Sequence, residues 1–332
     1  MRLLGFIAYR LVAMVLVLLV IAAITYSIFY LLPTNPAQLS CGKPCTPENL
    51  ARVKEFMGYN LPWYEQFWDF LRGIVVGRTY GTGAAAIVCP GPCFGYSFRL
   101  NATVTELIAT RFPVTASIAV GAAIVWLLFG VAGGVISALK RGTALDRSIM
   151  TVAIAGVSAP SYLVGLLAIL FFGFTLGLLP TGGYVPFTQD PVQWFTHLIL
   201  PWFTLAFISG AIYARLTRGE MLEVMGQDYI RTARAKGLRE STVVVRHGLR
   251  NALIPVVTIF GLDLGALLGG AVIAEKIFSM QGLGALLIDA VQSLDLQVVV
   301  GFTLFAAFLI VFANFLVDLI YGVIDPRVKV RV

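Results

Sequence analysis

Four cysteines stand in two pairs of identical spacing, Cys41 with Cys45 in "CGKPC" and Cys89 with Cys93 in "CPGPC". Thiols so placed can oxidise to two disulfides or, as thiolates, share a four-sulfur metal site. Zinc ligands usually sit closer together at one or both pairs, so this spacing favours disulfides. Three pairings remain open, and the Pro-Gly turns suit the two short closures. The two histidines, His197 and His247, have no Cys, Asp or Glu nearby at ligand spacing. The chain contains no G-x-x-x-x-G-K-[ST], so it has no phosphate-cradling loop for a nucleotide. "GVSAPS" lacks the G-x-S-x-G of a nucleophile elbow, and no base is placed to serve it. Neither a bound metal nor a catalytic constellation is expected.

The densest positive charge lies in "QDYIRTARAKGLRESTVVVRHGLRNALIP", Gln227 to Pro255, which carries Arg231, Arg234, Lys236, Arg239, Arg246 and Arg250. Asp228 to Lys236 has good helix formers, an acid at its start and bases toward its end, and Gly237 suits a left-handed cap. Ala233 and Ala235 leave room for another protein, and Arg231, Arg234 and Arg239 can meet its carboxylates. Taken alone, the stretch fits a docking surface and a basic loop that fixes topology equally well.

Other polar residues stand among apolar ones. Pro160 frees a carbonyl between Ser158 and Ser161, a break best tolerated beside a neighbouring helix or a watered cavity. Asp263 lies midway along an apolar run, where a carboxylate is expensive unless it faces water or a partner. It is read as a candidate for a substrate amine, with a bond to a neighbouring helix as the plainer alternative. Asn314 and Asp318 suit helix-to-helix bonding, and Glu275 and Lys276 suit a solvated rim.

The elements that must position these residues follow from composition. Of 332 residues, 58% are hydrophobic and 12% charged, about half the charge of an average soluble domain. Apolar windows of at least about 18 residues, the length of a membrane helix, fall near 9–32, 114–139, 149–175, 197–214, 252–274 and 298–324. The N-terminal run is too long for a typical signal peptide and lacks a small-x-small cleavage site, so it is read as a retained span. Arg2 and Arg10, then Lys140, Arg141 and Arg147, then Arg215, Arg218 and the basic stretch, then Arg327, Lys329 and Arg331 fall on alternate connections. The connection 176–196 has no Lys or Arg, and 275–297 has only Lys276. The loop 33–111 is basic too, but long loops are translocated largely regardless of charge, so the alternation of the shorter connections places both termini in the cytoplasm and accounts for the net charge of +7 without nucleic acid. The chain divides into an N-terminal transmembrane helix (1–32), an external segment with all four cysteines (33–111), and a five-helix core (112–332) with a cytoplasmic loop at 215–251. In the external segment, "TPENLARVKEFMGYNLPWYEQFWDFLRGIV" predicts two short helices broken at "GYNLP", the first capped by Thr46 before Pro47.

"GQDYIRTARAKGL" followed by "RHGLRNALIP" resembles the cytoplasmic signature of ABC-importer permeases, in the dipeptide/oligopeptide/nickel branch and its B-type peptide permease subunits. "HLILPWFTLA", "GAVIAEKIF", "GLG" and "DLIYGVIDPRV" extend the likeness over nearly the full length. "SMQGLG" departs from the pattern by lacking a proline, and an insertion surrounds Cys89–Cys93. The resemblance implies an all-α, six-helix permease of the type I importer fold that moves oligopeptides or dipeptides by alternating access. It implies a second homologous permease, two ABC ATPase subunits that bind ATP and Mg, and an external solute-binding protein. It assigns ATPase docking to Asp228, Tyr229, Arg231, Thr232, Ala233, Arg234, Ala235, Lys236, Gly237 and Leu238, within a docking helix of 228–241. An ion-coupled transporter or channel, or a non-transporting scaffold, would be the alternatives; no repeat of the two halves supports the first.

Overall fold

The computed structural model describes residues 2–28, 37–38, 41, 45–81 and 86–324. The 29–32 end of the first predicted span and Arg327, Lys329 and Arg331 lie outside them, as do the side chains of Arg2 and Asp318. Among the described residues, five helices are long and apolar enough to cross a membrane, and a bent pair makes a sixth. They are α1 (Arg2–Tyr26), α4 (Val104–Leu139), α7 (Pro191–Met225), α9 (Glu240–Leu268) and α12 (Leu296–Ile324), with α5 (Ala144–Ser158) and α6 (Ser161–Thr175) as the bent pair. The short helices are α2 (Pro47–Met57), α3 (Trp63–Val76), α8 (Asp228–Ala235), α10 (Val272–Ile277) and α11 (Leu283–Ser293).

The six-span expectation holds in number and is corrected in shape. Predicted as one run over 149–175, the third span is two arms meeting at 105°. Ala159 and Pro160 both turn extended, with ψ of 126° and 134°. Proline removes an amide donor and pushes the residue before it out of the helical region. The helices α4, α7 and α9 also run well beyond their apolar windows at one or both ends, to Val104, to Pro191 and Met225, and to Glu240. The fifth starts at Glu240, with a π-helical stretch over Val243–Leu249, and stops at Leu268 rather than 274.

The chain forms two compact units. The first holds the described residues of 1–115, 268–272 and 282–324. In it α1 packs along α12, with Ala22, Tyr26, Phe70, Val300 and Leu304 in one buried cluster. Thr46 caps α2 by accepting from the Asn49 amide, as the sequence predicts, and Gly58 ends it in the left-handed conformation at the start of the expected break. Strands β1 (Gly77–Tyr80) and β2 (Ile87–Pro90) pair antiparallel, with Arg78 opposite Cys89; β3 (Tyr96–Ser97) pairs with β4 (Ala102–Thr103). These strands are too short to leave a period in the sequence. Val53, Met57, Tyr80, Cys89, Cys93 and Tyr96 form their small core. Burial there pushes the Tyr80 hydroxyl pKa up, opposed by Arg78, whose guanidinium lies 4.9 Å from the Tyr80 ring. Ser97 donates to the buried Asp295 carboxylate, and Arg99 donates to the Ser293 carbonyl at 2.9 Å.

The second unit holds 116–267 and 273–281. Here α4 and α7 approach almost backbone to backbone. A Cβ on Gly134 would lie 2.6 Å from the Ala214 carbonyl oxygen and 2.6 Å from Thr217 Cβ. No side chain fits there. Such small-residue contacts hold helices together in lipid, where the hydrophobic effect supplies no drive between them.

Candidate functional site

Helix α8 is one short element between two long ones. Gly226 and Gln227 alone separate it from α7. Asp228 occupies its first turn and Arg234 its last, each complementing the helix dipole. Lys236 caps it, and Gly237 follows at φ +74°, the left-handed position expected for it. The Gly237 amide donates to the Arg234 carbonyl at 2.9 Å. The helix ends at Ala235, short of the 241 expected, because the chain turns at Lys236–Gly237 and restarts as α9 at Glu240.

One face of α8 is sealed onto its own chain. Ile230 is fully buried and Ala233 is 7% exposed, both against Val243 with Met225 beside them. Asp228, Tyr229, Arg231, Thr232, Arg234, Ala235, Lys236, Gly237 and Leu238 are exposed. Ala233, expected to leave room for another protein, packs with Ile230 against Val243 of α9, where its smallness seats α8, and Ala235 is the exposed small residue. Two of the three arginines meet acids of this chain. Arg234 donates through Nη2 at 2.7 Å and Nε at 3.1 Å to Glu240, a bond that raises its pKa above the ordinary value. Arg231 lies 3.5 Å from Asp228. Asn251 donates to the Tyr229 hydroxyl at 2.9 Å, tying α8 to α9 again. The result is a handle held to α9 on one side, with a basic outer face.

Near the C-terminal end of α9, five residues before Leu268, Asp263 Oδ2 accepts from the Tyr213 hydroxyl of α7 at 2.9 Å. Tyr213 is fully buried, with its ring 6.0 Å from that of Trp126, which lies 6.2 Å from Phe260. Asp263 itself is half-buried, and its bond comes from Tyr213 rather than from Ser158 or Ser161. Those serines flank the α5–α6 bend, Ser158 and Pro160 exposed and Ser161 half-buried. The structure does not join the two groups of candidate path residues by a hydrogen bond. Glu275, expected on a rim, is fully buried.

The cysteines form two local disulfides, Cys41–Cys45 and Cys89–Cys93, with Cα separations of 5.6 and 5.7 Å. All four sulfurs are thereby consumed, which removes the four-thiolate alternative. Among the described residues no cluster of three or more His, Cys, Asp or Glu side chains could hold a metal.

Sequence reasoning missed the polar junction of Ser137, Asp146 and Arg218, which joins the last turn of α4 and the first turn of α5 to α7 about two turns before its end. Its one sequence signal is the Thr-x-x-Asp spacing of Thr143 and Asp146, a helix-start pattern. Nothing in sequence joins Asp146 to Arg218, 72 residues away.

A family model described as the inner membrane component of binding-protein-dependent transport systems matches residues 130–330. The corresponding N-terminal model matches 3–119. A Brucella abortus protein whose name describes a peptide transport system permease is 41% identical over 313 residues, 94% of this chain and 95% of that one. The glutathione transport system permease protein GsiC of Escherichia coli is 35% identical over 328 residues, 99% of this chain and 100% of that one. A chain of the MetNI methionine ABC transporter, solved in inward-facing conformations, superposes with a TM-score of 0.51 at 18% identity. That superposition covers 67% of this chain and 97% of the other, and shows a shared fold.

Proposed function

This chain belongs to the family of binding-protein-dependent transport system inner membrane components, and on that premise we propose that it carries peptides inward, driven through α8 by partner ATPase subunits. It is a multi-pass membrane permease, and the ion-coupled and scaffold alternatives are not favoured. The observation that carries the mechanism is the handle: a short helix sealed to its own chain on one face and basic on the other, joined to α7 by two residues. Two ABC ATPase subunits, which bind the ATP and Mg, seat this outer face. A second homologous permease completes the pathway, and an external solute-binding protein delivers the cargo to the side bearing the disulfides. Both termini lie in the cytoplasm, in keeping with the alternating basic connections. Peptide cargo is supported by the two relatives above, since glutathione is itself a tripeptide. Asp263 serves a peptide ammonium group, and the bend at Ser158, Pro160 and Ser161 borders the path. Each conformational state must be favoured by its own contacts, nucleotide on one side and loaded binding protein on the other.

The test is ATP-dependent uptake of a labelled dipeptide and of glutathione by proteoliposomes holding the native complex, wild type against Ala235→Glu. An acid there leaves the sealed face of α8 untouched and sets a charge and bulk on the docking face. Uptake in the wild type and its loss, at least about tenfold, in the variant are expected. ATP-independent uptake, or an unaffected variant, overturns the reading.

A further inference from the structure

Asp146 is held by four donors. Its Oδ1 accepts from Arg218 Nε at 2.9 Å and from the Ser137 hydroxyl; its Oδ2 accepts from Arg218 Nη2 at 3.0 Å and from the Gly142 amide at 2.9 Å. The Asp146 side chain is 6% exposed and that of Arg218 26%. The Asp146 amide in turn donates to Thr143 Oγ1 at 3.3 Å, starting α5. A single carboxylate thus binds the last turn of α4 through Ser137, the α4–α5 turn through Gly142, and α7 through a two-pronged arginine. A planar guanidinium fixes orientation as well as distance, which a lysine's point charge does not.

The position of this junction along the chain is what gives it a task. Arg218 stands ten residues before Asp228, the first residue of the handle. Along that stretch, Met221 is fully buried with Ala138 of α4 and with Val244 and Ala252 of α9. Met225, one turn on, packs against Ile230, Ala233 and Val243. The handle, the tail of α7 and the start of α9 therefore form one packed body that also touches Ala138 of α4, and Asp146 adds to that apolar contact a polar connection to the adjoining ends of α4 and α5. Gly134, one turn from Ser137, keeps α4 against α7 at the same level.

A buried ion pair is a poor way to gain stability, since well-packed apolar residues often serve as well or better. What it supplies is fixed geometry. We propose that the Asp146–Arg218 pair, with Ser137, is a coupling clamp that makes the second span and the first arm of the third move with the docking handle. This rests on the docking role proposed above. In this role Arg218 and Asp146 are positioning residues, acting through the helices they join. With the clamp open, the ATPase would still seat on α8 and hydrolyse ATP, while α4 and α5 would lag behind the handle.

The test compares Arg218→Lys, Arg218→Ala and Asp146→Asn with wild type in the reconstituted native complex. Three quantities are read: ATPase subunits retained per permease, ATP hydrolysed, and substrate taken up per ATP. The clamp predicts retention within about twofold of wild type and at least about a tenfold fall in uptake per ATP for Arg218→Ala and Asp146→Asn, with Arg218→Lys intermediate. A merely structural pair would lower retention and uptake together and leave uptake per ATP unchanged, which overturns the proposal. Should the alanine variant not assemble, Arg218→Lys decides: uptake per ATP equal to wild type also overturns it. Ala235→Glu, run in parallel, separates the two readings. If it keeps its ATPase, the docking role fails; if it loses the ATPase while Arg218→Lys stays fully coupled, only the clamp fails.

Discussion

At the scale of single residues, the handle depends on side chains that are small for different reasons. Ala233 is small enough to seat α8 on α9, Ala235 in the proposed docking is small toward a partner, and Gly237 takes a φ of +74° that favours glycine. A Cβ on Gly237 would meet nothing within 4 Å, so Gly237→Ala costs backbone strain alone, about 1 kcal/mol. Loosening the end of α8 by that amount should weaken ATPase capture about fivefold, measured by titrating the purified ATPase onto the solubilised permease. Ala233→Glu, by contrast, buries an acid against Val243 and Met225 and should dislodge α8 itself, seen as a new protease-sensitive site near residue 237. Asp263 allows a sharper chemical test. Asp263→Asn keeps an acceptor for Tyr213 and removes the negative charge. If the carboxylate serves a peptide ammonium, the apparent KM for free-amine peptides should rise at least about tenfold, while that for N-acetylated peptides should change little. Equal effects on both would leave Asp263 as a strut between α7 and α9.

At the scale of elements, legibility followed the length and locality of the signal. A lipid-spanning helix must satisfy its backbone over about 20 apolar residues, so all six apolar windows were visible. Thr46, Pro47 and Gly58 bound α2 where local chemistry requires. The 105° bend was only half visible. Proline marked the break at Ala159–Pro160, while the angle comes from how α5 and α6 pack on α7, which no local pattern records. The hairpins at 77–90 and 96–103 escaped because strands of two to four residues carry no period. The Ser137–Asp146–Arg218 junction escaped because its partners meet only through the fold. The disulfide hairpin gives the prediction proper to this scale. Cys89–Cys93 closes a loop with a sequence separation of 4, and a loop that short stabilises by about 2 kcal/mol in the chain-entropy picture. Replacing both residues by serine should therefore raise proteolysis within 77–100 under conditions where wild type resists, leaving the membrane helices intact on a gel. Unchanged proteolysis would show that the core of Val53, Met57, Tyr80 and Tyr96 holds the segment without the bond.

At the scale of the whole molecule, the proposed function makes this chain a transmitter: ATPase motion would enter at α8 and leave as movement of the spans. Sidedness is its first requirement. With the four native cysteines in disulfides, the thiol of a Thr188→Cys variant should react with a membrane-impermeant maleimide in spheroplasts, and that of Arg141→Cys only after permeabilisation. The reverse pattern would invert the orientation drawn from the basic residues. The central claim is that α8 docks an ATPase, and site-specific crosslinking tests it most directly. Ala235→Cys, in native membranes, is treated with a short thiol-to-amine crosslinker, and the adducts are identified by mass spectrometry. Docking at α8 predicts an adduct with a subunit carrying G-x-x-x-x-G-K-[ST], formed through the introduced thiol and absent from Thr188→Cys. A thiol in Ala235→Cys that reacts with a small maleimide from the cytoplasmic side yet yields no ATPase adduct would contradict it.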